Sequence, residues 1–208
     1  FQTVDRTEIL RQLLKQGMAK ELFFLISRSS VWNGLVVDAL MDAGESEMVM
    51  KNRHDRQYFS DHTAQVLLKE GRATDLAQSL EQWLLFNDLS EMTCLQLIET
   101  GHAAEVAKHL SNFRGLGEAS MQALLSAGVM QPRDLGHFRN LSRSSAERLL
   151  VLEGGLEAVK MWLECFSGFS AIDYAEYVVD NGRVDYLFRD KQINQRFSPL
   201  SQSLAIKL

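Results

Sequence analysis

The sequence predicts an all-α fold in which about six helical hairpins, each of about 27 residues, stack one after another. A glycine closes a similar apolar phrase at near-constant intervals, from LLKQG near the start to YVVDNG near the end. The first intervals are 27, 27, 30 and 27 residues, between Gly17, Gly44, Gly71, Gly101 and Gly128, and the series continues through Gly154/Gly155 to Gly182. Only two prolines occur and hairpin turn signals are scarce, so helices are favoured over strands.

The segment before each glycine has the apolar spacing of an amphipathic helix. Apolar residues stand four and three positions before the glycine, as Leu13/Leu14, Leu40/Met41, Leu67/Leu68, Leu97/Ile98, Leu124/Leu125 and Val178/Val179. The position seven before it holds Leu10, Val37, Ala64, Cys94, Met121 and Ala175. We therefore expect a helix that ends at each glycine, because glycine adopts a left-handed conformation without the steric cost of a Cβ atom.

A second helix is predicted to begin almost directly after each glycine. Five positions after it stand Leu22, Val49, Leu76, Val106, Val159 and Leu187, and nine positions after it stand Ile26, Leu80 and Leu110. The residue two positions after the glycine is mostly small, which lets the second helix pass close to the first. Each unit is thus a helical hairpin with a short glycine turn.

The longer connections between hairpins carry helix-start signals and phenylalanines. Ser144 with Glu147 and Ser170 with Asp173 have capping-box spacing, and Ser90 with Thr93 is a weaker candidate cap. We expect the phenylalanines to seal neighbouring hairpins together; they are Phe86, Phe113, Phe138 and Phe166.

The pattern is interrupted in a few places. Arg53 occupies the position nine after a glycine that is apolar elsewhere, and Pro132 is expected at a first helical position, where it delays the helix. The Gly154/Gly155 pair leaves two registers open. After about Asp190 the repeat is lost, so we predict a repeat domain over residues 1–189 and a cap, truncated unit or linker over residues 190–208.

Composition narrows the class of protein and its surroundings. Apolar residues make up 46% of the 208 residues, which predicts a folded chain, and no stretch approaches the length of a membrane span. Cys94 and Cys165 are isolated, so we expect buried free thiols, a reducing compartment and a cytoplasmic location. Because the chain starts at Phe1, we expect it to be part of a longer protein.

The glycine phrases and the apolar position five after each glycine resemble those of α-solenoid repeat proteins, the class that includes tetratricopeptide, HEAT and armadillo arrays. The resemblance covers about residues 1–187 and is to the class, since the tetratricopeptide and ankyrin signatures are missing. It implies a right-handed superhelix with an extended surface for proteins or peptides, less often nucleic acid, and seldom catalysis.

No motif predicts a catalytic, metal or cofactor site. His102 and His109 are seven residues apart and share a helix face, but a zinc site needs three or four ligands. Neither a P-loop nor a GxGxxG motif is present, and Asp61-His62 alone does not define a catalytic triad. Trp83 and Trp162 are expected in the core. We therefore expect no enzyme activity and no cofactor.

One segment departs from the repeat in a way that suggests partner binding. Between Lys51 and Phe59, basic residues stand beside the aromatic pair Tyr58 and Phe59 where the apolar position is lost, and Trp32 follows a serine-rich connection. The candidate partner-binding residues are Trp32, Lys51, Arg53, Arg56, Tyr58 and Phe59. The alternative interpretation is an irregular helix end whose aromatic side chains pack on the next hairpin.

The sequence thus favours a scaffold or adaptor that binds a protein or peptide. A nucleic-acid-binding repeat protein is the first alternative, although the net charge of −5 disfavours it. A regulatory or targeting domain of a larger enzyme is the second.

Overall fold

The computed structural model describes residues 6–26, 33–51, 59–81, 86, 88–184 and 186. These residues are mostly helical, which confirms the predicted helical class. They divide into two compact units, Phe1–Val129 and Met130–Leu208. Trp32, Arg53, Trp83 and residues 190–208 lie outside the described residues. No helix in the described part of the chain is long and apolar enough to cross a membrane.

The N-terminal unit consists of helical hairpins whose first helices lie side by side. Its helices are α1 (Arg6–Lys15), α2 (Ala19–Ile26), α3 (Asn33–Asp42), α4 (Ser46–Lys51), α5 (Asp61–Lys69), α6 (Ala73–Ser79), α7 (Glu91–Glu99), α8 (Ala103–Lys108) and α9 (Glu118–Ser126), with a 3-10 turn at Leu110–Asn112. Helix α3 packs on α1 and α5, and α7 packs on α5 and α9. The second helices α6 and α8 also contact each other.

The C-terminal unit contains three α-helices and short extended segments among its described residues. Its elements are a 3-10 helix (Pro132–His137), β1 (Leu141–Ser142), α10 (Arg143–Leu150), α11 (Gly155–Met161), a 3-10 turn (Leu163–Cys165), β2 (Phe166–Ser167) and α12 (Ala171–Asp180). Helix α11 packs on α10 and on the Pro132–His137 helix. Pro132 stands at the start of that 3-10 helix, in the place expected for a proline.

The repeated glycine ends each first helix as predicted. Every glycine of the series from Gly17 to Gly182 has a positive φ, between 68° and 92°. At Gly71 the backbone forms a Schellman motif, because the Gly71 N–H donates to the Leu68 carbonyl and the Arg72 N–H to the Leu67 carbonyl. In the ambiguous pair, Gly154 has the left-handed conformation and Gly155 is the first residue of α11.

The predicted core positions are buried. The six predicted residues seven before the glycine are buried, as are the five described residues five after it, from Leu22 to Val159, whereas Glu147, seven before Gly154, is exposed. The residue four before the glycine is buried in every hairpin except at Leu13. The residue three before it is half-buried in most hairpins, but Met41 is buried and Val151 is exposed. Consequently the buried face of most first helices is narrower than the apolar spacing predicted. One flank of these helices remains at the surface.

The connections run extended and pair with one another, which the sequence did not predict. Phe59 bridges Phe86, Leu89 bridges Phe113, and Leu141–Ser142 pairs in parallel with Phe166–Ser167. The phenylalanines at these connections, Phe86, Phe113, Phe138 and Phe166, are buried.

Serine caps begin the helices that follow these connections. Ser90 and Ser170 accept backbone N–H groups of Thr93 and Asp173, which confirms both predicted caps. The predicted Ser144–Glu147 box is wrong, since Ser142 is the cap of α10 and Ser144 lies inside the helix. Ser142 directly follows the fully buried Leu141, and its side chain accepts the backbone N–H of Ser145.

Candidate binding groove

The residues that the sequence suggested for partner binding do not form a site in the described structure. Phe59 is 0% exposed and its ring lies 5.1 Å from that of Phe86. Its side chain packs on the neighbouring connection, as the alternative interpretation expected. Lys51 is exposed at the end of α4. Trp32, Arg53, Arg56 and Tyr58 lie outside the described residues.

The two cysteines are buried free thiols, as predicted. Burial raises the pKa of the Cys94 thiol to about 12, and the nearby Glu91 carboxylate adds to the rise. Burial also raises the pKa of Cys165, although Arg139, whose guanidinium lies 3.3 Å from the sulfur, opposes it. A catalytic thiol needs the opposite shift, so neither cysteine provides an activated nucleophile.

The histidines do not converge on a metal site within the described part of the chain. No group of three or more His, Cys, Asp or Glu side chains there has an arrangement that could hold a metal ion. His102 and His109 instead flank helix α8 as its cap residues, and His102 lies 3.4 Å from the Thr74 hydroxyl. Trp162, expected in the core, is half-buried at the end of α11.

An open groove crosses the exposed flanks of the first helices α3, α5 and α7. We call it the α3–α7 groove; its volume is about 600 Å³, and its lining consists of Asp42, His62, Gln65, Val66, Leu68, Lys69, Gln96, Glu99 and Thr100. The volume lies within the range of small-molecule and peptide sites, but the groove is a shallow surface channel. Its polar lining has no cluster of convergent acids, bases and nucleophiles.

The repeat places the lining residues in rows. Asp42, Lys69 and Glu99 each stand two positions before a repeat glycine, and Val66 and Gln96 stand five before. These positions lie beside the buried stripe of each helix, on the flank left exposed by the packing of α3, α5 and α7. Equivalent positions of adjacent hairpins therefore present the charges negative, positive and negative along the groove.

Some lining groups are already bonded within the protein. His62 Nε2 lies 2.8 Å from Asp42 Oδ1, so α5 contacts α3 across the groove. The Gln65 amide donates to the Thr93 hydroxyl at 2.6 Å, and the Thr100 hydroxyl donates to the Gln96 carbonyl at 2.8 Å. These contacts fix the walls of the groove, although the exposed His62–Asp42 pair itself contributes little stability.

Other lining groups have capacity for a ligand. Lys69 and Glu99 are exposed and form no ion pair with another described residue. The side-chain oxygen of Gln96 is removed from solvent and has no hydrogen-bond partner among the described residues. Because a buried acceptor without a partner is costly, a donor brought by a ligand would stabilise this position.

This groove was not predicted from the sequence. Its residues are ordinary polar side chains on helix surfaces, and such residues are usually solvated. What several of them share is a position two or five residues before a repeat glycine. This shared position points to one surface only when α3, α5 and α7 are known to be neighbours.

Comparison with known proteins adds no assignment. No protein-family model matches the chain. Neither curated proteins nor solved structures give a significant match.

Proposed function

We propose that this chain is a non-catalytic scaffold or adaptor that binds a peptide segment of a partner protein in the α3–α7 groove. The proposal includes an α-solenoid arrangement, in which the side-by-side packing of successive first helices continues as a superhelix. The buried free thiols support a reducing compartment, and we propose the cytoplasm.

The groove is the observation on which the proposal depends. Three successive hairpins contribute equivalent positions to one continuous surface, and Lys69 and Glu99 remain without ion-pair partners among the described residues. A peptide crossing the groove meets charges of alternating sign and the amides of Gln65 and Gln96. Such a surface recognises a polar, charged segment in an extended or helical conformation.

To test the proposal, the 208-residue chain is used as the target to select peptides from a displayed random library. The affinity of a selected, labelled peptide is then measured by fluorescence anisotropy. The double variant Lys69→Glu/Glu99→Lys reverses the two free charges without changing the net charge. We expect it to weaken binding by about tenfold or more, since each charge faces the wrong sign in the complex.

The matched control is Glu47→Lys/Lys108→Glu, which makes the same exchange at exposed positions of the second helices α4 and α8. It should change the affinity by less than about twofold. Equal effects of both double variants would show that binding does not use the groove.

The nucleic-acid alternative has its own outcome in the same assay. A labelled single-stranded oligonucleotide of about 20 nucleotides should show no saturable binding at physiological salt. Tight binding that falls steeply with salt concentration would replace the proposal with the alternative.

A further inference from the structure

Among the large apolar side chains that the C-terminal unit exposes are Val151 and Met161. Val151 is 73% exposed and Met161 64% exposed, the two highest values among large apolar residues in the described part of the chain. Val151 follows α10, and Met161 ends α11, the helix that packs on α10. Of the two, Met161 borders a groove, where an exposed apolar side chain can take part in an interaction surface.

A groove with an apolar floor lies next to Met161, between α11 and the Pro132–His137 helix. We call it the Trp162 groove; Pro132, Ala158, Met161 and Trp162 provide its apolar lining, and its volume is about 420 Å³. The ring of Trp162 packs against Gly136 so closely that a Cβ atom there would lie 2.7 Å from the ring. The indole is therefore held in place before any ligand arrives, which lowers the entropic cost of binding.

The rim of this groove is acidic on the α11 side. Glu153 and Glu157 both border it and are exposed, and neither forms an ion pair or hydrogen bond with another described residue. Glu157 lies in the first turn of α11. Arg133 borders the groove from the other helix, and its guanidinium lies 3.9 Å from Asp134.

The groove combines an apolar floor with two carboxylates on its α11 side, which complements a ligand that is apolar on one face and basic along the edge that meets α11. Helices and turns line the groove, so it presents side chains and not the free backbone groups that an added strand would pair with. We propose that the Trp162 groove binds a basic amphipathic helix of a partner protein. Its apolar residues contact Trp162 and Met161, and its lysine or arginine residues contact Glu153 and Glu157.

The probe is a synthetic amphipathic helix of leucine and lysine, fluorescein-labelled, with leucines on one face. Anisotropy titration with the 208-residue chain should show saturable binding. A scrambled peptide of the same composition has no apolar face, and its affinity should be lower by about tenfold or more. A peptide with glutamate in place of lysine should not bind.

Two variants of the protein test the surface itself. Met161→Asp and Glu153→Lys/Glu157→Lys should each weaken binding of the leucine–lysine peptide by about tenfold or more. Matched controls are Ile172→Asp, at another exposed apolar residue of the same unit, and Glu21→Lys/Glu47→Lys, at exposed first-turn acids of the N-terminal unit. Both controls should leave the affinity within about twofold.

Several results would overturn the proposal. These are no saturable binding to the wild-type chain, equal affinity for the scrambled peptide, tighter binding of the glutamate peptide, or equal losses in the controls. Circular dichroism of each variant verifies that the fold is retained. No residue changed here lines the α3–α7 groove, so the outcome is independent of the function proposed above.

Discussion

The Asp61 carboxylate accepts a hydrogen bond of 2.6 Å from the hydroxyl of Thr93, a residue of the next hairpin. The same oxygen accepts the backbone N–H of Ser90 at 2.8 Å, so the first residue of α5 caps the beginning of α7. Glu91 repeats the contact one hairpin later, where it accepts the Gly117 N–H at 2.8 Å and the Ser120 hydroxyl at 2.6 Å. An acid at the start of one first helix thus satisfies the N-terminus of the next.

Removing the Asp61 carboxylate should destabilise the N-terminal unit. Asp61→Ala leaves the fully buried Thr93 hydroxyl and the Ser90 N–H without this acceptor, and we expect a loss of about 1–3 kcal/mol in the free energy of unfolding. Urea denaturation followed by circular dichroism measures it. Glu47→Ala, an exposed first-turn acid of α4, is the control and should cost about 0.5 kcal/mol or less. Equal losses would mean that the contact between hairpins adds nothing.

The glycine turns should be intolerant of a side chain for conformational and not steric reasons. Gly101 has a φ of 92°, yet a Cβ atom there would meet no atom within 4 Å. Gly101→Ala should therefore cost about 1–2 kcal/mol, the strain of a left-handed residue. Gly34 in α3 also has open space but an ordinary φ. Gly34→Ala should be neutral or stabilise by up to about 1 kcal/mol in the same urea experiment. Similar costs at both sites would contradict the assignment of the turn.

Phe59 should behave as a core residue although its sequence context suggests a binding residue. Phe59→Ala removes a fully buried ring that contacts Phe86, and we expect it to cost about 3–5 kcal/mol of stability. The matched control is Phe24→Ala. Phe24 is 58% exposed, so its replacement should cost about 1 kcal/mol or less of stability. Thermal and urea midpoints of the two variants decide the matter. If Phe59→Ala has near wild-type stability, Phe59 is not a core residue and is again a candidate for partner binding.

The repeat made the helices and most of the core predictable, because local apolar spacing and the glycine turn act within one hairpin. The residues that join one hairpin to the next were not predicted. Asp61 and Thr93 are 32 residues apart, and nothing local shows that an acid will be satisfied by the following hairpin. A recurring phrase was nevertheless present in SDHT at Ser60 and SEMT at Ser90.

The candidate site was even less predictable. The segment from Lys51 to Phe59 attracted attention because it breaks the repeat, whereas the α3–α7 groove consists of residues that obey it. Lys69 and Glu99 line the same groove because α5 packs on α7, and this packing depends on buried residues elsewhere. The sequence can therefore indicate which positions are exposed, but not which exposed positions form one surface.

The buried Cys94 thiol should make the stability fall at alkaline pH. Below pH 9.0, its unperturbed pKa, the thiol is protonated in both states and has no effect. Above that value the unfolded chain ionises, while the folded protein keeps its proton until the pKa of about 12. The free energy of unfolding should then fall by up to about 1.4 kcal/mol per pH unit.

Urea denaturation between about pH 8.5 and 10.5 measures this slope. Cys94→Ala is the control; it lowers stability at every pH but removes this contribution to the slope. Tyr174 and Cys165, whose pKa values burial also raises, contribute equally to both proteins. Identical slopes would show that the Cys94 thiol is not shielded from ionisation.

In the C-terminal unit the donor and the acceptor of the contact between successive first helices are exchanged. Arg143, the first residue of α10, donates to Asp173 Oδ1 at 2.8 Å, and Asp173 is the third residue of α12, as Thr93 is of α7. Hydrogen bonds from Ser170, together with the Arg143 charge, lower the pKa of Asp173. The carboxylate is therefore ionised at neutral pH, and the stability that it contributes is lost on acidification through its lowered pKa.

If the two forms of this contact are equivalent, one should be convertible into the other. Arg143→Glu alone places a new carboxylate beside those of Asp173 and Glu147 and should lower the urea midpoint. Asp173→Thr alone removes the partner of Arg143 and should also lower it. The double variant recreates the acid–threonine pair seen between Asp61 and Thr93, so its midpoint should recover at least half of the loss caused by Arg143→Glu. The four proteins form a double-mutant cycle, whose coupling term isolates the pair from its neighbours. Additive losses would show that Arg143 and Asp173 contribute to stability separately.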